Sequence, residues 1–290
     1  MVEIKTITVL MACFNRKEKT LACLNALYEN SLSTGWVLEI YLVDDGCTDG
    51  TGEAVRLNFP VVTVIQGNGD LFWNGGMHLA FDKALKSNAD YFLWMNDDTL
   101  VNNMALGNLI DSIDKLMKRD ISKFLIVGST QDEHTGLLTY GGVRRKHGIH
   151  PFKFKPVQPS TELLRCDTIN GNFVCISRAA SEEIGNLDSR YKHAFGDFDY
   201  GLRASKKNIP MYVMPGFVGT CSNNSSTGTW QDKSLTFKER LRKRHSNTGV
   251  PLSNWVVFCR KHGGMFWPIW AASPYLKMVL ESLSSKFRGV

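Results

Sequence analysis

Over residues 1–130, short runs that are apolar at almost every position alternate with stretches whose apolar residues recur at helical spacing. The runs are Ile7–Cys13, Leu38–Val43, Val61–Ile65, Tyr91–Met95 and Phe124–Gly128. The helical stretches are Lys17–Tyr28, Thr51–Leu57, Gly76–Leu85 and Ala105–Met117, the last with Leu106, Leu109, Ile110 and Ile113 on one face. A strand with one face in water alternates polar and apolar residues, and these do not. They are expected to be buried on both faces, in an α/β fold with a mostly parallel central sheet covered by helices.

Past residue 130 the pattern changes. "TYGGVRRKHGIHPFKFKPVQPS" is rich in Gly, Pro and basic residues and reads as a hairpin and loop, while "TINGNFVCISR" reads as a strand. A short helix, a helix from about Phe198 and a strand at Met211–Met214 follow. "CSNNSSTGTW" reads as a mobile loop. From about Leu235 the chain reads as amphipathic helix. The expected division is a main domain over 1–232, with halves at about 1–130 and 131–232, and a basic helical C-terminal extension over 233–290. A chain of 290 residues with 43% hydrophobic content suits one large domain with such an appendage.

In a parallel α/β sheet, ligands bind at the carboxyl ends of the strands. Polar clusters fall there repeatedly: "CFNR" after the first strand, Asp44-Asp45 after the second, "GNGDLFWNGG" after the third, and Asn96-Asp97-Asp98 after the fourth. Any one of them is explained by capping of the next helix. All of them in register point to a ligand. Adjacent carboxylates suit a hard divalent cation, which takes oxygen ligands and is commonly shared with substrate phosphates. Asp97 and Asp98 are therefore expected to join Mg2+ or Mn2+ to a diphosphate.

With these residues the sequence resembles the family-2 glycosyltransferases, which have the GT-A fold, from about residue 5 to 220. The resemblance rests on the order and spacing of "TVLMACFNR", "LVDDGCTDGT", "GNGDLFWNGGMHLAFDKAL", "FLWMNDDT" and "FGDFDYGLRA". It implies an inverting, metal-dependent transfer from a UDP- or dTDP-sugar. Residues 1–130 become the nucleotide-sugar half and 131–232 the acceptor half. Asp98 is implied as the metal ligand, with Asp97 assisting through water or the ribose. Asp45, with or without Asp44, is implied to hold the base. Asn15, Arg16 and Asn68 would lie near the nucleotide, and Trp73 and Gly75 of "WNGG" near the donor sugar and diphosphate. The chain departs from the family pattern at Cys47, where serine is usual. It departs again near Cys221, where many relatives place a histidine metal ligand. Cysteine is a soft ligand poorly matched to magnesium, so a metal site with fewer protein ligands is expected.

Asp197 and Asp199 stand at the mouth of a helix in "GDFDYGLRA". By themselves they read as a cap and a dipole partner. The resemblance implies that Asp197 is the catalytic base, which an in-line attack by an acceptor hydroxyl requires. Asp199 is expected on the acceptor side or paired with Arg203 one turn on, and His193 at the acceptor site. Trp94 is expected in the core, His78 in a structural role, and Trp73 or Trp230 stacked on sugars.

The net charge of +6 concentrates in "KSLTFKERLRKRH" and "CRKH". Basic residues beside Trp, Phe and Leu over 235–290 fit an anionic membrane interface. The alternatives are packing on the main domain and a homodimer contact. Bacterial relatives suggest a glycan or polyprenyl-diphosphate-linked acceptor in O-antigen or capsule synthesis, and a peripheral place on the inner face of the cytoplasmic membrane. The seven cysteines form no CxxC pair, an odd count without a signal peptide, as expected of reduced thiols in the cytoplasm. No apolar run reaches the length of a membrane span; Pro268 and Pro274 interrupt the nearest. The competing readings are a nucleotide-sugar-binding partner protein without catalysis, and a dinucleotide oxidoreductase. The second fails for want of a glycine-rich first turn. No nucleic-acid-binding module is present.

Overall fold

The computed structural model describes residues 4–223 and 225–287. Residue 224 of the expected loop and residues 288–290 of the expected tail lie outside them. The chain begins with β1 (Lys5–Cys13), α1 (Lys17–Tyr28), β2 (Trp36–Asp44), α2 (Thr51–Asn58), β3 (Thr63–Gln66), α3 (Phe72–Leu85), β4 (Tyr91–Met95), β5 (Leu100–Val101), α4 (Ala105–Met117) and β6 (Leu125–Gln131). A hairpin region follows with β7 (Leu138–Tyr140), β8 (Gly142–Arg145), β9 (Phe154–Pro156), β10 (Leu164–Cys166) and β11 (Thr168–Ile169). Then come β12 (Phe173–Ser177), α5 (Arg178–Ile184), α6 (Gly196–Lys206) and β13 (Met211–Thr220). The C-terminal part holds α7 (Phe237–Arg244), α8 (Leu252–His262) and α9 (Trp267–Phe287).

The main sheet runs β10-β13-β6-β12-β4-β1-β2-β3. Pairings among β1, β2, β3 and β4 are parallel, so these four strands form the expected parallel sheet. Every residue from Ile7 to Met11 is sealed from solvent, and β4 is buried along its whole length. One face packs on α1 and α4, through Leu24, Leu27, Leu106, Leu109, Ile110 and Ile113. The other packs on α3, α5 and α6, through Met77, Phe81, Ile184 and Tyr200. Each of these large apolar side chains contributes about 2 kcal/mol when fully buried. Trp94 is fully buried among them, as expected.

β12 departs from the parallel expectation. It lies antiparallel between β4 and β6. Its residues are all buried, so an unbroken apolar run marks burial on both faces and does not mark direction. Direction follows from the connection: the chain leaves β6 through a hairpin region instead of a crossover helix, and antiparallel return needs no crossover. β13 also outruns its expected end at Met214, continuing through Pro215 to Thr220 with register shifts against β6.

α3 starts at Phe72, four residues before the expected Gly76. Its cap is not local in sequence. The Asp45 carboxylate, from the end of β2, accepts from the backbone N–H groups of Leu71 and Phe72, both at 3.0 Å. Gly76 then allows α3 to lie close on β1, because a Cβ there would stand 2.7 Å from Ala12 Cβ.

The C-terminal helices pack on the main domain. Trp255 and Phe258 of α8 meet Phe195 and Leu202, and Phe195 stacks on Phe258 at 4.6 Å between ring centroids. The basic run "FKERLRKRH" is divided. Arg240 and Arg244 are buried, the latter against the rings of Trp230, Trp255 and Tyr275. Trp230 is thereby engaged by Arg244, in place of the expected stacking on a sugar. No described helix is long and apolar enough to cross a membrane.

Candidate active site

A cavity of about 340 Å³ opens where β1, β2 and β4 end, at the carboxyl edge of the sheet. Arg16, Asp45, Phe72, Trp73, Asn96, Asp97, Asp98, Asn172, His193 and Cys221 are among the residues that line it.

Asp97 and Asp98 follow directly from the buried β4. Asp97 is buried and Asp98 partly so. Burial pushes the Asp97 carboxyl up to about 6, against the pull of Arg16 and with a push from Asp98. Arg16 Nη1 donates to Asp97 Oδ1 at 3.2 Å and to Asp98 Oδ2 at 2.9 Å. The Cys221 thiol points at Asp98 Oδ1, 3.7 Å away. Burial lifts that thiol to about 11, so it is protonated at neutral pH. The carboxylate pair fits a hard divalent cation; the protonated, soft thiol adds nothing to it. Cys13, Asp44 and Cys47 also bring ligand atoms within 4.8 Å of one another. Burial raises both thiols, and Asp44 Oδ1 already accepts from the Cys47 N–H at 2.8 Å. That trio is a poor seat for magnesium or manganese.

The expected base-binding carboxylates are committed to the protein itself. Asp45 lines the cavity, but Oδ1 accepts from Gly69 N at 2.9 Å and Oδ2 from Leu71 and Phe72. Asp44 is buried beneath the turn. Both shape the 44–47 and 67–72 loops, and of the two only Asp45 lines the cavity. Asn15 ties the same loops together, its Oδ1 accepting from Thr48 N at 2.7 Å. Asn68 is exposed, outside the cavity lining, and accepts from Asp70 N. Gly75 lies in the first turn of α3, outside the cavity lining, where a Cβ would meet Leu71 Cβ at 3.2 Å.

Trp73 links the two acidic sites. Its Nε1 donates to Asn96 Oδ1 at 2.7 Å, beside Asp97. Its six-membered ring lies so close to Gly171 that a Cβ there would stand 2.4 Å from Trp73 Cζ2. Gly171 N in turn donates to Asp197 Oδ2 at 3.0 Å, and Phe198 N donates to Asp197 Oδ1 at 2.7 Å. Enclosure by the protein pushes Asp197 up to about 6, against those two bonds. His193 sits at the cavity rim with its ring edge to Phe72.

Asp199 is elsewhere. It is fully buried and faces away from the cavity, into α8. It accepts from Arg203 Nε at 2.8 Å, as the i,i+4 spacing suggested, from His262 Nε2 at 2.8 Å and from Tyr191 OH at 3.3 Å, and pairs with Lys261. Desolvation works against its charge, but the His262 and Lys261 bonds and the Arg203 charge hold it down to about 2. An acceptor-contacting role does not fit this enclosure. His78 is structural too, its Nδ1 2.7 Å from Leu187 O. Reading the sequence placed Asn96 at the strand-end cluster but missed Asn172 and Thr248 as cavity residues. Asn172, just before β12, and Thr248, in the α7–α8 loop, carry no local signal.

Residues 8–185 match the model of glycosyl transferase family 2, more than half of the chain. The chain belongs to that family. Among solved structures it is similar to GalNAc-T7 determined with UDP, GalNAc and Mn2+ (TM-score 0.59, 16% identity, 83% of this chain and 48% of that one). It is also similar to TarS of S. aureus (TM-score 0.54, 14% identity, 89% and 42%). A third is the mannosyltransferase PcManGT of Pyrobaculum calidifontis with GDP-Man and Mn2+ (TM-score 0.54, 16% identity, 96% and 73%). At these identities the likeness shows the fold, which is GT-A. The chain spans less than half the length of the first two. No relative is found among curated proteins.

Proposed function

We propose that the chain is an inverting, metal-dependent glycosyltransferase that moves a sugar from a UDP- or dTDP-sugar to a glycan acceptor. The observation that carries this reading is the Trp73 bridge: Trp73 lines the cavity of Asp97 and Asp98, donates to Asn96 beside them, and packs on Gly171, whose N–H holds Asp197 behind that wall.

Asp98, with Asp97, would hold the cation, whose charge would offset that gathering on the departing nucleoside diphosphate. Asp197 accepts the acceptor hydroxyl proton as that oxygen attacks the anomeric carbon. Its raised pKa keeps it ionised yet basic at neutral pH. The two backbone N–H bonds hold its carboxylate in place. Trp73 offers a flat apolar face to the donor sugar. Asp45 acts through the loops it caps, and His193 stands at the rim on the acceptor side. Product stereochemistry tests the central step: 1H NMR of the first-formed glycoside should show an inverted anomeric configuration, and retention would refute the base role of Asp197.

The acceptor is proposed to be a lipid-linked glycan of bacterial surface polysaccharide, O-antigen or capsule, met at an anionic membrane surface. Met265, Phe266, Ile269, Leu276 and Leu280 are exposed on and just before α9. Arg260 and Lys277 are exposed nearby. An apolar stripe flanked by cations suits an interface helix. Flotation with anionic vesicles, and its loss in Ile269→Glu/Leu276→Glu, would support attachment. Dimerisation through the same stripe, without vesicle binding, would replace it.

A further inference from the structure

One nitrogen of Arg16 bridges both carboxylates from which a cation would be held. Nη1 lies 3.2 Å from Asp97 Oδ1 and 2.9 Å from Asp98 Oδ2. A divalent ion drawing in to about 2.1 Å from such oxygens must displace the guanidinium. Arg16 is built to be displaced. It is the N-cap residue of α1, but its side chain makes no capping bond. The side chain is 44% exposed, against 7% for Asp97, so the cation is the mobile partner and the buried carboxylate the fixed one. Arg16 also lines the cavity, so once released it faces whatever anion lies there.

We propose that Arg16 is an internal counter-ion for the carboxylate pair. In the free protein it neutralises Asp97 and Asp98. When a divalent cation enters with a nucleoside diphosphate, Arg16 yields its place and pairs with the diphosphate. The cation alone then binds weakly, because it must eject a positive charge that gains nothing in return. With the diphosphate present the ejected charge has a new partner, so cation and nucleotide bind with positive coupling. This inference rests on the metal-dependent reading above. It makes Arg16 a positioning residue that sets the order of assembly.

The test is Mn2+ binding to the full chain, followed by electron paramagnetic resonance of the free ion, without nucleotide. Wild type is compared with Arg16→Gln and Asp98→Asn. Arg16→Gln should bind Mn2+ alone roughly two- to fivefold more tightly, the range expected for removing one partly exposed ion pair. Calorimetry with UDP, dTDP and GDP, each with and without Mg2+, should show that Mg2+ improves nucleotide affinity less in Arg16→Gln than in wild type. Equal or weaker Mn2+ binding in Arg16→Gln, or no binding by either protein, overturns the proposal. Retained Mn2+ binding in Asp98→Asn would instead show that the ion sits elsewhere, and the metal assignment itself would fall. Thermal melts of the three proteins confirm that each is folded when it is measured.

Discussion

The indole of Trp73 donates its N–H to Asn96 Oδ1 at 2.7 Å. The same ring closes on Gly171, whose N–H holds Asp197. One rigid side chain therefore spans from the residue beside the carboxylate pair to the residue beside the proposed base. Trp73→Phe keeps an apolar ring and removes the bond. We expect a stability loss of about 1 kcal/mol, the usual worth of one such hydrogen bond. We expect kcat/KM to fall on the order of tenfold as the two sites lose their common strut. Denaturation midpoints and donor kinetics measure the two effects separately.

Asp197→Asn should lower kcat by roughly 10²–10⁴, the usual contribution of a positioned base. Nucleotide affinity, read by calorimetry, should stay near wild type, because Asp197 is bonded to Gly171 and Phe198 and does not line the cavity of Asp97 and Asp98. The variant should remain folded: burial already disfavours the carboxylate.

The upward shift of Asp197 also sets a pH dependence. The group takes up its proton as pH falls through about 6, and the base form is lost below that point. The acidic limb of kcat/KM should therefore lie near pH 6, well above the ordinary aspartate value of about 3.9. Asp97 is raised to about 6 as well in the free protein. A bound cation would favour its ionised form, so with saturating metal the limb belongs to Asp197. A limb near pH 4 under those conditions would remove Asp197 from the role.

Asp199 anchors the C-terminal helices through His262 and Lys261 of α8. Its depressed pKa means that it contributes stability above about pH 4, and that this contribution is lost as pH falls toward 2. Asp199→Asn leaves Arg203 and Lys261 without their shared anion. A cost of about 3–5 kcal/mol is expected for breaking a buried pair on one side. Urea unfolding at pH 7 measures it. His262→Ala should release α8 more than it harms the sheet, so limited proteolysis in 246–251 should quicken.

Much of the fold was legible because the first five strand segments are apolar without alternation and α4 carries its apolar stripe in full. β12 was visible as a strand, but its antiparallel direction was not, because direction depends on the connection and leaves no mark in a five-residue apolar run. The site was legible where function sits next to a strand end, as in Asn96-Asp97-Asp98. It was not legible where a carboxylate serves a distant backbone. Nothing near Asp45 in the sequence announces that residues 69–72 will take both of its oxygens. Asp199 was legible only in part: its i,i+4 partner Arg203 was visible in the sequence, but Lys261 and His262 lie some sixty residues on. The tail's charge also misled in part, since Arg240 and Arg244 are buried against Glu281 and a set of aromatic rings.

The most direct measurement is nucleotide release from UDP-, dTDP- and GDP-sugars with Mn2+ or Mg2+, repeated in EDTA, for wild type, Asp98→Ala and Asp197→Ala. The expected result is metal-dependent release from one donor, abolished by EDTA and by Asp98→Ala and strongly reduced in Asp197→Ala. Release that survives both EDTA and Asp98→Ala would contradict the metal-dependent mechanism. Nucleotide binding without turnover, even with lipid-linked acceptors, would mark the chain as a nucleotide-sugar-binding partner and not an enzyme.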